Sequence, residues 1–201
     1  MGSRFRMLVF WRQGLVFLAT PKTGSTAIET ALSPLAAVVV MRPPNLKHTN
    51  AQRYQRHIAP FLGDPKGSDF ATTALMREPL DWLGSWYRYR QRKDEAAEKS
   101  TRSISFGDFV RAYCRPDQPE FAKIGAQATF LTPQGFRPVD HIFRYDRMDL
   151  FIRFVEQRLA TRITLTKVNV SPAGPVILSP QVETLLRHHR AADFALYDSL
   201  R

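Results

Sequence analysis

The sequence predicts an α/β fold with three layers: a mostly parallel central sheet of about five strands, with helices on both faces. Short apolar runs alternate with helical patterns along the chain, which is typical of this class. The run over 36–41 is apolar throughout, as expected for a strand that is covered on both faces. Hydrophobic residues make up 44% of the 201 residues, enough for a proper core, and no repeat or linker divides the chain. We therefore expect one domain over residues 1–201.

The first half of the chain predicts four strands and three helices. The pattern predicts strands over 7–11 and 15–19 around a tight turn, strands over 36–41 and 70–76, and helices over 25–32, 50–62 and 80–92. Pro79 suits the first position of the third helix, because the missing N–H would be unpaired there in any residue.

The second half continues the alternation after a charged connector over 93–101. The pattern predicts helices over 105–114, 121–131 and 148–160, strands over 139–145 and 163–168, a last helix begun by Ser179 and Pro180, and a short amphipathic piece over 191–197.

The charge of the chain favours an anionic partner. There are 29 Lys and Arg residues against 18 acidic ones, a formal net charge of +11. Such an excess is typical of proteins that bind nucleic acid, a membrane surface, or an anionic cofactor and substrate. The basic residues are spread along the chain instead of forming a tail, which speaks against nucleic acid.

The single cysteine, Cys114, excludes an intrachain disulfide and is compatible with a reducing cytoplasm. It ends an apolar helical pattern, so we expect it to be buried and inert.

No apolar run has the length of a membrane span or of a signal-peptide core, and no Cys and His spacing is typical of a metal site. We expect a cytoplasmic protein, with contact to a membrane surface left open.

The loop between the second strand and the first helix is the strongest candidate site. It reads Pro21-Lys22-Thr23-Gly24-Ser25-Thr26. A helix start offers unpaired N–H groups and a partial positive charge, the lysine adds a full charge, and the glycine permits close approach, all of which suit a phosphate. The order differs from the Gly-x-x-x-x-Gly-Lys-Ser/Thr fingerprint of nucleotide triphosphatases. The alternative is an ordinary strand-to-helix turn with a solvated lysine.

A second stretch begins at Arg77 and includes Ser85. Ligands of open α/β sheets bind at the carboxyl ends of the strands, where Arg77 is predicted to lie. A serine two helical turns later can point toward the same anion, to which the guanidinium can donate two parallel hydrogen bonds. The alternative is a salt-bridged surface arginine and a helix serine.

Both stretches resemble motifs of the sulfotransferases that use 3'-phosphoadenosine 5'-phosphosulfate (PAPS). Pro-Lys-x-Gly-x-Thr resembles the loop that binds the 5'-phosphosulfate, and Arg-Glu-Pro with Ser85 eight residues after Arg77 resembles the 3'-phosphate motif. The chain is most similar to bacterial relatives of the Golgi glycan sulfotransferases. In the Golgi enzymes an arginine commonly stands five residues after the first, where this chain has Trp82. The resemblance implies a P-loop-like sulfotransferase fold, PAPS as co-substrate and no metal.

His48 is the candidate for the base. A histidine ordinarily titrates close to neutral pH and can accept a proton from an acceptor hydroxyl, although a lone histidine is more often structural. The resemblance implies that a histidine in this loop is the base and that Lys22 neutralises the leaving oxygen. It also suggests cofactor contacts from Asn169 and Ser171, which an ordinary turn explains equally well. The resemblance extends to a strand that ends in an aromatic residue and an acid, Tyr145 and Asp146.

The sequence thus predicts an enzyme that transfers a sulfuryl group from PAPS to a hydroxyl or amine of a glycan, lipid or small metabolite. Two alternatives remain: a P-loop phosphotransferase and a basic nucleic-acid-binding domain. The first lacks the Gly-Lys-Ser/Thr order, and the second is suggested only by the basic and aromatic stretch over 87–93. The acceptor and the oligomeric state are not predicted.

Overall fold

A computed structural model of the chain describes residues 7–40, 48–63, 70–165 and 177–200. They form two compact units. The first, called the sheet unit here, contains the described residues up to Arg77 and those of 127–165. The second, called the helical unit, contains the described residues of 78–126 and 177–199. The single domain expected from the sequence stays a prediction.

The sheet unit contains a five-stranded mixed sheet with the strand order β3-β1-β2-β4-β5. The strands are β1 (Met7–Phe10), β2 (Leu15–Phe17), β3 (Val38–Val40), β4 (Ala71–Met76) and β5 (His141–Arg144). Strands β2, β4 and β5 are parallel, whereas β1 is antiparallel to both β2 and β3. Gly14, in the left-handed conformation at φ 57°, closes the tight turn between β1 and β2. The predictions of an α/β protein and of about five strands are confirmed.

Nine α-helical segments are present in the described parts of the chain. They are α1 (Ser25–Leu32), α2 (Ala51–Arg53), α3 (Ala59–Leu62), α4 (Pro79–Tyr89), α5 (Phe106–Tyr113), α6 (Gln127–Leu131), α7 (Met148–Leu159), α8 (Pro180–His189) and α9 (Ala191–Ser199). A π-helical turn over Tyr54–Ile58 joins α2 to α3, so this stretch is helical throughout, as predicted. None of the helices in these ranges is long and apolar enough to cross a membrane.

The core of the sheet unit lies between the sheet and two of its helices. Alternate strand residues, among them Leu8 and Phe17, pack with Ile28 of α1 and Phe151 of α7. The intervening strand residues are buried as well, as Val16 with no exposed surface illustrates. Strands β1, β2 and β4 in the middle of the sheet are therefore largely buried on both faces. The expectation that the apolar run over 36–41 is covered on both faces is wrong for β3, because this strand lies at the edge of the sheet, antiparallel to β1, and is only partly buried.

The helical unit has its own apolar core. Side chains of α4, α5, α8 and α9 meet in it, including Trp82, Phe109, Leu186 and Phe194. Burying side chains of this size stabilises the unit by roughly 1.5–3 kcal/mol each. Aromatic rings contribute much of this core. The helices that supply them are those whose apolar spacing predicted a buried face.

Two predicted elements differ from the structure. The helix expected over 121–131 is divided: Gly125 has a φ of 75°, and its carbonyl accepts a hydrogen bond of 2.7 Å from the Tyr113 hydroxyl, so helix α6 begins only at Gln127. The strand expected over 163–168 is absent over 163–165, because the backbone N–H of Ile163 donates to the Glu156 carboxylate at 2.8 Å instead of to a neighbouring strand. Residues 166–168 lie outside the described residues.

Candidate functional site

Three chain segments leave the parallel strands of the sheet unit at the same edge. The loop of Pro21 to Thr26 follows β2, Arg77 follows β4, and Tyr145 follows β5. Because carboxyl ends of parallel strands share one edge, the sheet brings these sequence-distant residues together. The structure thus places the predicted loop and the predicted arginine on neighbouring strands.

The backbone of the loop takes a conformation that L-residues seldom adopt. Lys22 has a φ of 66° and Gly24 a φ of 68°, so both lie in the left-handed region. Between them Thr23 is fully buried, and its hydroxyl donates to the Thr20 carbonyl at 2.8 Å. A lysine held there costs on the order of 1–3 kcal/mol, and strain of this kind is concentrated at functional sites. This outlier distinguishes the loop from an ordinary strand-to-helix turn.

Two hydroxyls near the start of helix α1 are buried without a hydrogen-bond partner. Among the described residues, nothing bonds to the side-chain oxygens of Thr20 and Ser25, which are 1% and 0% exposed. Gly24 occupies the N-cap position of α1, so no side chain caps the helix there, and its first turn contains no acidic residue. A buried unsatisfied hydroxyl costs roughly 1–3 kcal/mol. The two hydroxyls therefore lower the stability of the fold, and their presence requires another explanation.

Arg77 contacts the loop directly. Its Nη1 donates to the carbonyl oxygen of Lys22 at 3.2 Å, and its guanidinium carbon lies 4.9 Å from the centroid of the Tyr145 ring. The side chain is half-buried. The arginine of the second motif is therefore linked to the lysine of the first, which the sequence had only suggested through their shared sheet edge.

Gln127, the first residue of helix α6, holds the backbone of Arg77. Its side-chain Oε1 accepts from the Arg77 N–H at 2.9 Å, and its Nε2 donates to the Arg77 carbonyl at 2.8 Å. Gln127 is 1% exposed. The amide therefore replaces a further strand at the point where β4 ends, and it fixes the direction in which the arginine leaves the sheet.

Tyr145 lies against the other side of the loop. A Cβ atom at position 24 would come within 2.8 Å of Tyr145 Cε2, so the glycine is required by close contact as well as by its φ. The acid that follows, Asp146, pairs with Arg144 through two hydrogen bonds of 3.0 and 2.7 Å. Sequence reasoning assigned no role to Tyr145, although an aromatic residue at the carboxyl end of a parallel strand was a usable signal.

His48 lies beside the same loop. Its Nδ1 is 3.1 Å from the carbonyl oxygen of Ala19. A carbonyl can only accept, so Nδ1 carries the proton and the lone pair is on Nε2. The side chain is half-buried, and the neighbouring Thr49 is fully buried. The contact fixes the ring in the tautomer that a general base needs.

The remaining predicted site residues are not brought to this edge by the described sheet unit. Ser85 belongs to the helical unit, on α4, where it is 2% exposed. Trp82, the departure from the Golgi pattern, packs in the core of that unit with its ring centroid 6.2 Å from that of Trp86. Asn169 and Ser171 lie outside the described residues. The assignment of these residues to a cofactor site stays a prediction.

Two arginines of the basic stretch over 87–93 make their contacts within the helical unit. Arg90 is buried and donates to the carbonyls of Glu120 and Lys123 at 2.6 and 3.3 Å. Burial lowers the pKa of Arg90, with opposing contributions from nearby carboxylates. Arg88 lies 3.9 Å from Asp81, and its side chain is 16% exposed. These two arginines are structural, which weakens the only sequence signal for nucleic-acid binding.

Comparison of the chain with known protein families, with curated proteins and with solved structures found no match.

Proposed function

We propose that the chain is a PAPS-dependent sulfotransferase with a P-loop-like sulfotransferase fold, which transfers a sulfuryl group to a hydroxyl or amine acceptor. The observation that supports it most is the left-handed Lys22 in a loop that Arg77 contacts from the next parallel strand, with His48 bonded to the carbonyl of Ala19 just before the loop. Two cationic groups and one oriented imidazole at the same sheet edge suit the transfer of an anionic group to a hydroxyl.

The residues present fit the co-substrate by the chemistry of their donors. The N–H groups at the start of α1, together with Lys22 and the hydroxyls of Ser25 and Thr26, suit the 5'-phosphosulfate, whereas the Thr23 hydroxyl predicted for the same role donates to the Thr20 carbonyl instead. Arg77, with Ser85 as proposed from the sequence, suits the 3'-phosphate. The buried hydroxyls without partners support the proposal that the loop binds a ligand.

Bound PAPS supplies the sulfuryl group through its phosphosulfate anhydride. In the proposed reaction His48 accepts the proton of the acceptor hydroxyl at Nε2 while the acceptor oxygen bonds to sulfur. The Lys22 ammonium stabilises the negative charge that grows on the departing phosphate oxygen, as cations do in phosphoryl transfer. The hydrogen bond from His48 to Ala19 keeps the imidazole in the required tautomer throughout.

A titration with nucleotides tests the proposal before any acceptor is known. We expect adenosine 3',5'-bisphosphate to bind and ATP to bind at least about tenfold more weakly, because only the former carries a 3'-phosphate. The acceptor is then sought by transfer of radiolabelled sulfate to glycans, lipids and small hydroxylated metabolites. Preference for ATP would instead indicate a phosphotransferase, and binding of neither nucleotide would refute the assignment.

Lys22→Ala separates binding from chemistry. We expect turnover to fall by roughly a hundredfold or more, since the ammonium acts on charge that develops only in the transition state. Lys99→Ala is the matched control, because Lys99 is an exposed lysine of the helical unit outside the loop. Turnover of Lys22→Ala close to that of Lys99→Ala would contradict the proposed role.

A further inference from the structure

A surface cavity of about 480 Å³ opens in the helical unit where helices α5 and α8 end. Its lining consists of Cys114, Arg115, Pro116, Gln118, His189 and Arg190. Every polar side chain in this lining can donate a hydrogen bond, and none of the described lining residues is acidic. The volume is in the range that small organic ligands occupy. We infer that this cavity binds a small organic anion, a phosphate or sulfate monoester.

Arg190 is the fixed cation of the cavity. Its Nη2 donates to the Tyr113 carbonyl at 3.0 Å, and its guanidinium carbon lies 4.1 Å from the centroid of the Tyr113 ring. Its Nε is buried without a hydrogen-bond partner, and among the described residues no carboxylate forms an ion pair with it. The nearby Asp193 is a buried carboxylate whose charge, like that of Arg190, acts on Tyr113, but no described ion pair joins it to the guanidinium. A partly desolvated guanidinium of this kind is stabilised when an anion binds beside it.

Arg115 is held in place at the same cavity. Its Nε and Nη2 donate to the two carboxylate oxygens of Asp117 at 3.1 and 2.6 Å. This pairing lowers the pKa of Asp117, so the pair is neutral as a whole. The excess positive charge of the cavity therefore comes from Arg190, while Arg115 and the His189 ring contribute N–H donors.

Cys114 does not oppose an anion in this cavity. Burial raises the pKa of its thiol, with a smaller opposing effect from Arg190, so the sulfur stays protonated and uncharged. A neutral S–H is a weak donor. The lining thus combines the charge of Arg190 with neutral donors, a combination that suits a small anion.

Basic side chains also accumulate at helix C-termini for structural reasons. Arg190 and Gln118 both donate to the Tyr113 carbonyl near the end of α5, which such a role explains. It does not explain the cavity beside them, nor the exposed His189 in its lining. If capping were their whole purpose, the cavity would not bind anions.

The test is an NMR titration of the full chain carrying Lys22→Ala, so that the loop of the sheet unit competes less for the probe. The probes are phenyl phosphate, phenyl sulfate and phenol. We expect phenyl phosphate or phenyl sulfate to shift the amide signals of residues 114–118 and 189–190 with a dissociation constant near 1 mM, and phenol to leave them unchanged. The inference does not depend on the proposed function, because the cavity lies within the helical unit.

Substitutions then locate the binding. His189→Gln and Arg190→Gln should each weaken binding by about tenfold. If Arg190→Gln fails to fold, His189→Gln still tests the inference, because His189 is exposed and its replacement should not affect folding. Arg111→Gln is the matched control: Arg111 is an exposed arginine of α5 that pairs with Asp108 outside the cavity lining. No shift of residues 114–118 and 189–190, shifts centred on 21–26, or equal weakening by Arg111→Gln and His189→Gln would each overturn the inference.

Discussion

Replacing Gln127 tests whether the fixed backbone of Arg77 matters to the candidate site. Gln127→Leu keeps the size of the side chain but removes both hydrogen bonds to Arg77, which measure 2.9 and 2.8 Å. The site of substitution is buried, so water cannot easily replace the amide. The backbone of Arg77 then loses its two partners, and its guanidinium loses its fixed direction toward Lys22.

The size of the effect follows from the two bonds. Each backbone group left without a partner costs roughly 1–3 kcal/mol, and Arg77 is only half-buried, so we expect a loss of about 2–4 kcal/mol in the free energy of unfolding. For a chain of this length that corresponds to a lowering of Tm by about 4–15 °C. Affinity for adenosine 3',5'-bisphosphate should fall by about tenfold, or 1.4 kcal/mol, because the arginine is no longer preorganised.

Gln55→Leu provides a closely matched control. Gln55 makes the same reciprocal pair with the backbone of Arg137, at 3.0 and 2.5 Å, elsewhere in the sheet unit. The pair at Gln55 is exposed, so water can replace the lost amide. Thermal unfolding and calorimetric titration, at a temperature where both variants are folded, should show that Gln55→Leu loses less stability than Gln127→Leu and no affinity. Equal affinity in Gln127→Leu and the unaltered protein, or an equal loss in Gln55→Leu, would refute the role given to Gln127.

Three further predictions concern the same edge of the sheet. Arg77→Ala should weaken binding of adenosine 3',5'-bisphosphate by roughly thirty- to a hundredfold in calorimetry. If the native protein bound adenosine 5'-phosphosulfate and PAPS equally well, a contact to the 3'-phosphate would be refuted. His48→Ala should lower turnover by roughly a hundred- to ten-thousandfold with little change in nucleotide affinity; turnover close to that of the unaltered protein would contradict a histidine base. Tyr145→Ala should weaken nucleotide binding about tenfold, because it removes the ring that lies against Gly24 and Arg77. Tyr145→Phe keeps the ring and should leave the affinity unchanged. An equal loss of affinity in both variants would disprove a packing role.

Much of the fold could be predicted because its signals are local. Helix α1 has the bounds that the apolar spacing predicted, and Pro79 is the first residue of α4, with the Glu78 side chain accepting from the Asp81 N–H at 2.7 Å. Ser179 caps α8 in the same way. Caps and periodicity involve neighbours in sequence, so they can be read without knowledge of the tertiary structure.

The details of the candidate site could not be predicted, because they depend on residues far apart in the chain. Gln127 reaches the backbone of Arg77 across 50 positions, and nothing around it in sequence marks the side chain as a clamp. The expected strand over 163–165 failed for a related reason: its backbone donor is taken by Glu156, seven residues earlier. A polar side chain that substitutes for a strand leaves no periodic pattern.

The left-handed Lys22 and two buried hydroxyls without partners lie close together in the sheet unit, whereas the other left-handed residue described there that is not glycine, Ala160, caps the end of helix α7. The described sheet follows ordinary rules, with buried apolar strands and a tight turn closed by glycine, whereas the loop contains a left-handed lysine and has two buried hydroxyls without partners at its ends. Selection for stability alone would favour glycine at position 22, which adopts this backbone conformation at no steric cost. The proposed role of the Lys22 ammonium would account for a lysine at this strained position, and the Lys22 carbonyl is the group that Arg77 contacts. Local exceptions of this kind, in an otherwise consistent structure, are expected where function is selected.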